Sequence, residues 1–176
     1  MNTSPRILIV GVGSLGGTIA GSLLAFSQDL VGEVVPMTSN QGVIDATTEH
    51  GFRLCGIGES LSTPGAAVRS VPQGAPPFDW IILATQPPQV EDAARAVVEH
   101  LAPEGAMVCL QNGLCEQRVA EIAGADRVVG AVVGWGASSP EPGVFERTST
   151  GGFTVGRIDG REDPRLLQLA SLLEVV

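Results

Sequence analysis

The sequence contains no lysine: its ten basic residues are all arginine, and they stand against 19 acids for a net charge of -9. That balance repels phosphate backbones and anionic lipid over most of the surface, which argues against nucleic acid or a membrane surface as partner. Tyrosine is absent as well. Losing both residue types limits the proton chemistry open to the chain. The two histidines, His50 and His100, do not restore it, because each sits near a predicted helix end, where imidazole caps carbonyls or faces solvent, and neither neighbours a motif. The three cysteines, Cys55, Cys109 and Cys115, are an odd number without a C-x-x-C pair. This suits free thiols in a reducing, cytoplasmic setting better than a disulfide framework.

What is present is enough for one domain: 176 residues, 44% of them apolar, bury a sizeable core. One stretch invites a different reading. Ile7 to Phe26 carries no charge and follows Arg6, in the manner of a secretory segment or a membrane span. Gly11, Gly13, Gly16, Gly17 and Gly21 would weaken a continuous helix, and the apolar pattern changes period at Gly11. A strand followed by a helix accounts for both features, and no other apolar run of comparable length follows, so no membrane partner is expected.

Strands are predicted at Arg6–Val10, Glu33–Met37, Phe52–Cys55, Asp79–Ala84, Gly105–Leu110 and Arg127–Val133, with a hairpin over Gly143–Gly156 turning at Thr150-Gly151-Gly152. Pro36 places the second strand's open side at a sheet edge or its end early. Helices are predicted at Ser14–Ser27, at Gly42–His50 closed by Gly51, and at Cys115–Ala123. Another opens at Pro87-Pro88, with Val90, Ala93, Ala94, Val97 and Leu101 on one face. The Gly-, Pro- and Ser-rich stretch up to Pro77 is left without assignment. Alternation of strands and helices through short connections gives an α/β fold: a Rossmann-type, doubly wound parallel sheet in three layers, forming a single domain over residues 1–162. Residues 163–176 begin a helix with Leu166, Leu169, Leu172 and Leu173 on one side and no stop signal. The sequence expectation is that this apolar face is exposed, starts toward a missing partner structure, and favours self-association into a homo-oligomer.

The chemistry centres on Gly11-Val12-Gly13-Ser14-Leu15-Gly16, a G-x-G-x-x-G that follows a strand and opens a helix, the context this motif requires. Gly11 permits the turn, Gly13 lets backbone approach a pyrophosphate, and Gly16 lets helix lie close to strand. At the end of the second strand, Thr38-Ser39-Asn40-Gln41 holds no acid to accept the ribose hydroxyls of NAD. NADP(H) is therefore the expected cofactor, attracted by hydroxyls, an amide and backbone N–H groups, since this stretch holds no arginine either. Thr85-Gln86-Pro87-Pro88-Gln89 and Gln111-Asn112-Gly113 lie at further strand ends, where ligands bind in open α/β sheets. Asn112 is placed either to aim its amide at nicotinamide or substrate, or simply to form the turn. Gly134-Trp135-Gly136-Ala137-Ser138 reads either as a wall beside a flat cofactor or, for Trp135, as core.

With the opening Ile7-Leu8-Ile9-Val10 and its glycine loop, Ala84-Thr85, Gln89, Leu110-Gln111-Asn112-Gly113-Leu114 and Pro142-Gly143-Val144, the chain resembles the ketopantoate reductase (2-dehydropantoate 2-reductase) family along its whole length. The resemblance implies reduction of a small-molecule 2-oxo acid to the 2-hydroxy acid with NADPH, by a Rossmann domain and a helical C-terminal domain with the substrate cleft between them. It implies that the glycine loop, Asn112 and Ala137 contact cofactor and that Asn112 faces substrate. Two positions depart from the pattern: Gln86 stands where the family usually has lysine, and Ser39 where it commonly has arginine. The family's proton-donating lysine has no counterpart here, and the missing tyrosine excludes the Tyr and Lys arrangement of short-chain dehydrogenases. The implied reading is the cofactor half of a longer enzyme, inactive by itself. A non-catalytic dinucleotide-binding module and a reductase of a different 2-oxo acid are the alternatives.

Overall fold

A computed structural model describes residues 4–27, 29–58 and 60–176. The elements run β1 (Arg6–Val10), α1 (Ser14–Phe26), β2 (Glu33–Met37), α2 (Gln41–His50), β3 (Phe52–Gly56), β4 (Leu61–Thr63) and β5 (Phe78–Leu83). There follow α3 (Val90–Val97), β6 (Leu101–Cys109), α4 (Cys115–Ala123), β7 (Val128–Val133), β8 (Ala137–Ser138), β9 (Val144–Arg147), β10 (Phe153–Arg157) and α5 (Arg165–Leu173). Short 3-10 turns flank α3 at Pro87–Gln89 and Val98–His100.

The main sheet has six strands in the order β10-β7-β6-β5-β1-β2. All neighbours are parallel except β10, which pairs antiparallel with β7. Both faces are covered, and side chains alternate between them as the pleat requires. Ile7, Ile9, Trp80, Ile82, Ala106 and Val108 face one core with residues of α1 and α5. Leu8, Val10, Ile81, Leu83, Met107 and Cys109 face the other with residues of α3 and α4. This is the doubly wound α/β sandwich that the strand and helix alternation predicts. No helix among the described residues is long and apolar enough to cross a membrane.

Four features differ from the sequence expectations. The segment 143–156 is not a hairpin: β9 pairs with β3 and β8 in a second, four-stranded sheet ordered β4-β3-β9-β8, while β10 joins the main sheet. Each of the two strands has a better partner than the other, which local turn chemistry cannot reveal. The second sheet packs on α1, where small residues leave room for it. A Cβ at Gly17 would lie 2.0 Å from the Phe145 ring, and one at Gly21 would lie 2.7 Å from the Leu54 side chain.

Leu101 belongs to β6 rather than to the helix before it, although it packs into the same core as Val90, Ala94 and Val97. β6 also starts earlier than its regular part, because pairing with β5 shifts register between Phe78↔Leu101 and Trp80↔Ala106. Finally, the apolar side of α5 is not exposed. Leu169, Leu172 and Leu173 are buried in the α1-side core, Leu166 packs against it, and the exposed leucine of this helix is Leu167. Trp80 Nε1 donates to Gln168 Oε1 at 3.0 Å, fixing the helix to β5.

Candidate cofactor-binding site

The C-terminal ends of β1, β2 and β5 meet at one end of the sheet, where the chain after each strand must turn. Gly11 N donates to Met37 O at 2.8 Å and Ala84 N donates to Val10 O at 2.8 Å, so three loops start from a common rim. Gly11 has φ +101, and a Cβ there would lie 2.9 Å from the Ala84 carbonyl. Only glycine fits that turn. Gly16 is equally constrained, since a Cβ on it would lie 1.9 Å from Gly11 O; its hydrogen is what allows α1 to start directly behind β1.

Gly13 is different. Among the described residues no atom outside its chain neighbours comes within 4 Å of a Cβ built there, and the residue lines the cleft. Its backbone is extended, at φ -85 and ψ -161, so the missing side chain relieves no strain. Open space is what this glycine supplies. It is also the N-cap of α1 and makes no side-chain cap hydrogen bond, and the first turn holds no acid. The N–H groups of that turn are thus free of side-chain partners, and the helix dipole places about half an elementary charge there. A pyrophosphate fits this cradle in shape and in charge.

The cleft has a volume of about 510 Å³ and is lined by Gly11, Val12 and Gly13 from the first loop, Thr38, Ser39 and Asn40 from the second, and Thr85, Gln86 and Gln89 from the third. Nine of the residues singled out in the sequence are therefore neighbours in space. In the second loop, Asn40 Oδ1 accepts from Val43 N at 3.4 Å as the N-cap of α2, and Asn40 N donates to Thr38 Oγ1 at 3.2 Å. Those side chains shape the turn.

Other sequence candidates lie elsewhere. Ser14 and Leu15 begin α1 behind the loop, and Ser14 O accepts from Thr18 Oγ1 at 2.8 Å. Asn112 is exposed on the loop after β6, where its carbonyl accepts from Cys115 Sγ at 3.8 Å, and it does not line the cleft. Ala137 is in β8 of the second sheet. Trp135 is core rather than wall: it is buried, meets the Phe153 ring edge-on at 5.6 Å, and lies under the Arg147 guanidinium at 4.9 Å.

Two residues acquire roles that the sequence did not disclose. Gln111 is buried at the end of β6, and its Nε2 donates to Leu83 O at 3.0 Å and to Thr85 Oγ1 at 3.4 Å. It ties the third loop to the neighbouring strand, while its Oε1 is buried without a protein partner among the described residues. The second is Arg69, which lines the cleft beside Ser39 and Asn40. It comes from the stretch left unassigned, where it is the sole basic residue between Gly56 and Phe78; that isolation was the available signal.

Arg69 and Asp92 are the charged residues of the lining. Cys109, buried at the end of β6, has its thiol pushed up to about 12 by burial, with Glu116 adding to the effect, and stays protonated. The uncapped start of α1 and the Arg69 guanidinium make the cleft suited to a phosphate-bearing ligand.

Comparison with known proteins identifies the family. The sequence model of the family described as ketopantoate reductase PanE/ApbA matches residues 7–160. The 2-dehydropantoate 2-reductase of Halobacterium salinarum is 30% identical over 170 residues, which make up 94% of this chain and 54% of that protein. The chain thus spans about half the length of this curated relative. Among solved structures, the 2-dehydropantoate 2-reductase of Geobacter metallireducens is similar with a TM-score of 0.80 at 25% identity, over 97% of this chain and 55% of its own. A D-mandelate dehydrogenase solved with NADH and anilino(oxo)acetate has a TM-score of 0.81 at 20% identity, over 97% of this chain and 54% of its own. That last likeness is one of fold.

Proposed function

The chain belongs to the ketopantoate reductase PanE/ApbA family, and from that premise we propose that it forms the dinucleotide-binding part of an NADPH-dependent reductase acting on 2-dehydropantoate or a similar 2-oxo acid. The observation that carries this reading is the open cradle at Gly13, at the uncapped start of α1 and at the head of a cleft lined by three strand-end loops. A nicotinamide dinucleotide held there would supply the hydride for reduction of the substrate's carbonyl carbon.

The residues of this chain do the positioning. Free N–H groups at Gly13 and the first turn of α1 hold the pyrophosphate. Ser39, Asn40 and Thr38 border the adenosine side, and Thr85, Gln86 and Gln89 flank the path toward the nicotinamide, with Thr85 held in place by Gln111. Asn112, exposed on the next loop, orients the substrate or the nicotinamide amide. The developing alkoxide needs a proton, and the chain holds neither a lysine nor a tyrosine to give one. In this reading the donor is supplied from outside these 176 residues.

The test has two stages. Fluorescence titration of the chain with NADPH and NADH should show binding of both with NADPH tighter. The complete reading frame should then oxidise NADPH in the presence of 2-dehydropantoate. Oxidation with another branched 2-oxo acid but not with 2-dehydropantoate would reassign the substrate. Dinucleotide binding without reduction of any 2-oxo acid would favour a binding module instead.

A further inference from the structure

We infer that Arg69, although remote in sequence from the end of β2, is the residue that recognises the 2'-phosphate of the adenosine ribose and so sets the cofactor preference. The inference rests on the NADPH reading above and names the group that gives it selectivity. In a parallel α/β sheet the ribose of a bound dinucleotide lies at the end of the second strand, where an acid favours NAD and a nearby arginine admits the extra phosphate of NADP. Here that strand end offers Thr38, Ser39, Asn40 and Gln41, without a charge of either sign.

The structure supplies a cation from another direction. β2 is the edge of the main sheet, and residues 67–69 run along its open side. Val68 N donates to Pro36 O at 2.8 Å, Thr38 N donates to Val68 O at 2.9 Å, and Met37 and Val68 form a parallel bridge. Ala67 N donates to the buried Thr47 hydroxyl of α2 at 2.9 Å. With Ala67 and Val68 anchored, the next residue projects at the cleft. Arg69 Nη1 donates to Ser39 O at 3.3 Å and Nη2 donates to Gln41 Oε1, while Gln41 Nε2 donates to Asp45 Oδ1 at 2.6 Å. The guanidinium is thus oriented by neutral acceptors.

Charge points the same way. In a chain of net charge -9, Arg69 forms no ion pair with an acid among the described residues, unlike Arg6, Arg53, Arg95 and Arg118. Its guanidinium is left available to a ligand, with N–H groups beyond the two engaged. The first-turn amides of α2, which follow Asn40, add a weaker attraction on the same side. A planar guanidinium matches a phosphate dianion in geometry as well as in charge.

The experiment is a titration of the parent protein and of the Arg69→Gln and Arg69→Lys variants with NADPH, NADH, 2',5'-ADP and 5'-ADP, followed by fluorescence or calorimetry, with thermal unfolding recorded for each. Arg69→Gln should weaken NADPH and 2',5'-ADP by about 10- to 100-fold and change NADH and 5'-ADP by less than about threefold. Arg69→Lys should recover most of the loss. Arg69 is exposed, so the unfolding temperature should stay where it is. A parent that binds NADPH no better than NADH would remove the cofactor reading and this inference together. A parent that prefers NADPH, with the preference intact in Arg69→Gln, would overturn the role of Arg69 and leave the cofactor reading standing. Equal loss for all four ligands would also overturn it, by showing Arg69 to be a scaffold for the cleft.

Discussion

The cradle at Gly13 makes a prediction that separates binding from folding. Replacing Gly13 by alanine adds a methyl group that meets no neighbour within 4 Å among the described residues. The backbone at φ -85 is one that alanine adopts readily. Folding stability should therefore change by no more than about 0.5 kcal/mol, with the lower entropy of the unfolded chain acting in the variant's favour. Binding should behave otherwise. A phosphate oxygen must come to about 2.9 Å from an N–H of the loop to be held. The new methyl, with a radius of about 2 Å, lies in its approach, and retreat of the pyrophosphate weakens charge-assisted bonds worth about 1.5–3 kcal/mol each. Partial loss of two of them gives a dissociation constant about 100-fold higher. Gly16→Ala is the contrasting variant, because its Cβ would sit 1.9 Å from Gly11 O and force α1 away from β1; both stability and binding should fall. Urea denaturation and NADPH titration on the same preparations read the two quantities. If Gly13→Ala binds NADPH as tightly as the parent, the loop is not a phosphate cradle. If it unfolds more easily instead, the glycine serves packing and the argument from open space fails.

The docking of the second sheet on α1 predicts that Gly17→Ala, normally worth up to about 1 kcal/mol to a helix, instead destabilises by about 1–2 kcal/mol through overpacking. The added Cβ falls 2.0 Å from the ring of Phe145, which is fully buried. Combined with Phe145→Ala in a double-mutant cycle, its cost should disappear; strict additivity in urea denaturation would refute the contact. Asp163, hydrogen-bonded by Arg165 at 2.6 Å and paired with Arg157 at 3.6 Å, has its carboxyl held down to about 2. A lowered folded-state value adds stability that is complete above the unfolded value of about 4 and disappears as pH falls toward 2. Asp163→Asn should therefore lower stability at neutral pH by on the order of 1 kcal/mol and flatten its decline below about pH 4, read by urea midpoints across that range.

Much of this architecture is legible in the sequence because local signals and tertiary placement agree. β1, β2 and α4 fall where their patterns put them, since a fully covered parallel strand needs a continuous apolar run and α4 needs one apolar face and a closing Gly124. Three loops of the cleft were legible for the same reason: strand ends in a parallel sheet all point one way. The second sheet was not legible. β4 has three residues and β8 has two, too few to show a period, and β9 pairs with β3 across some ninety positions of chain, as Arg53↔Val144 and Leu54↔Phe145. The glycines that admit this sheet, Gly17 and Gly21, look in sequence like weak points of a helix; their reason is the Phe145 and Leu54 side chains that occupy the space. The buried side of α5 was not legible because what covers it, the Trp80 side of the main sheet, is set by tertiary packing and leaves no local signal in the helix itself.

Pro36 links the edge of the sheet to the chemistry of the cleft. Proline within a strand is tolerated where its nitrogen faces away from the neighbour. Here the Pro36 carbonyl points to Val68 N, so the ring nitrogen of the same residue faces that open side and no bond to β1 is lost. The same geometry rules out another regular strand beyond β2, since the missing N–H breaks the ladder at that position. On that edge Val68 engages the acceptor Pro36 O and the donor Thr38 N. A single bridged residue costs little chain order, yet it fixes the residue that follows. Arg69 is thereby delivered to the mouth of the cleft from 30 residues beyond Ser39. The cation absent from the end of β2 can thus be restored by topology: an imperfect edge strand recruits an irregular segment, and the segment carries the charge. A substitution at Pro36 that permits further strand pairing would alter this recruitment before it altered the core, because the ladder between β1 and β2 does not use that nitrogen.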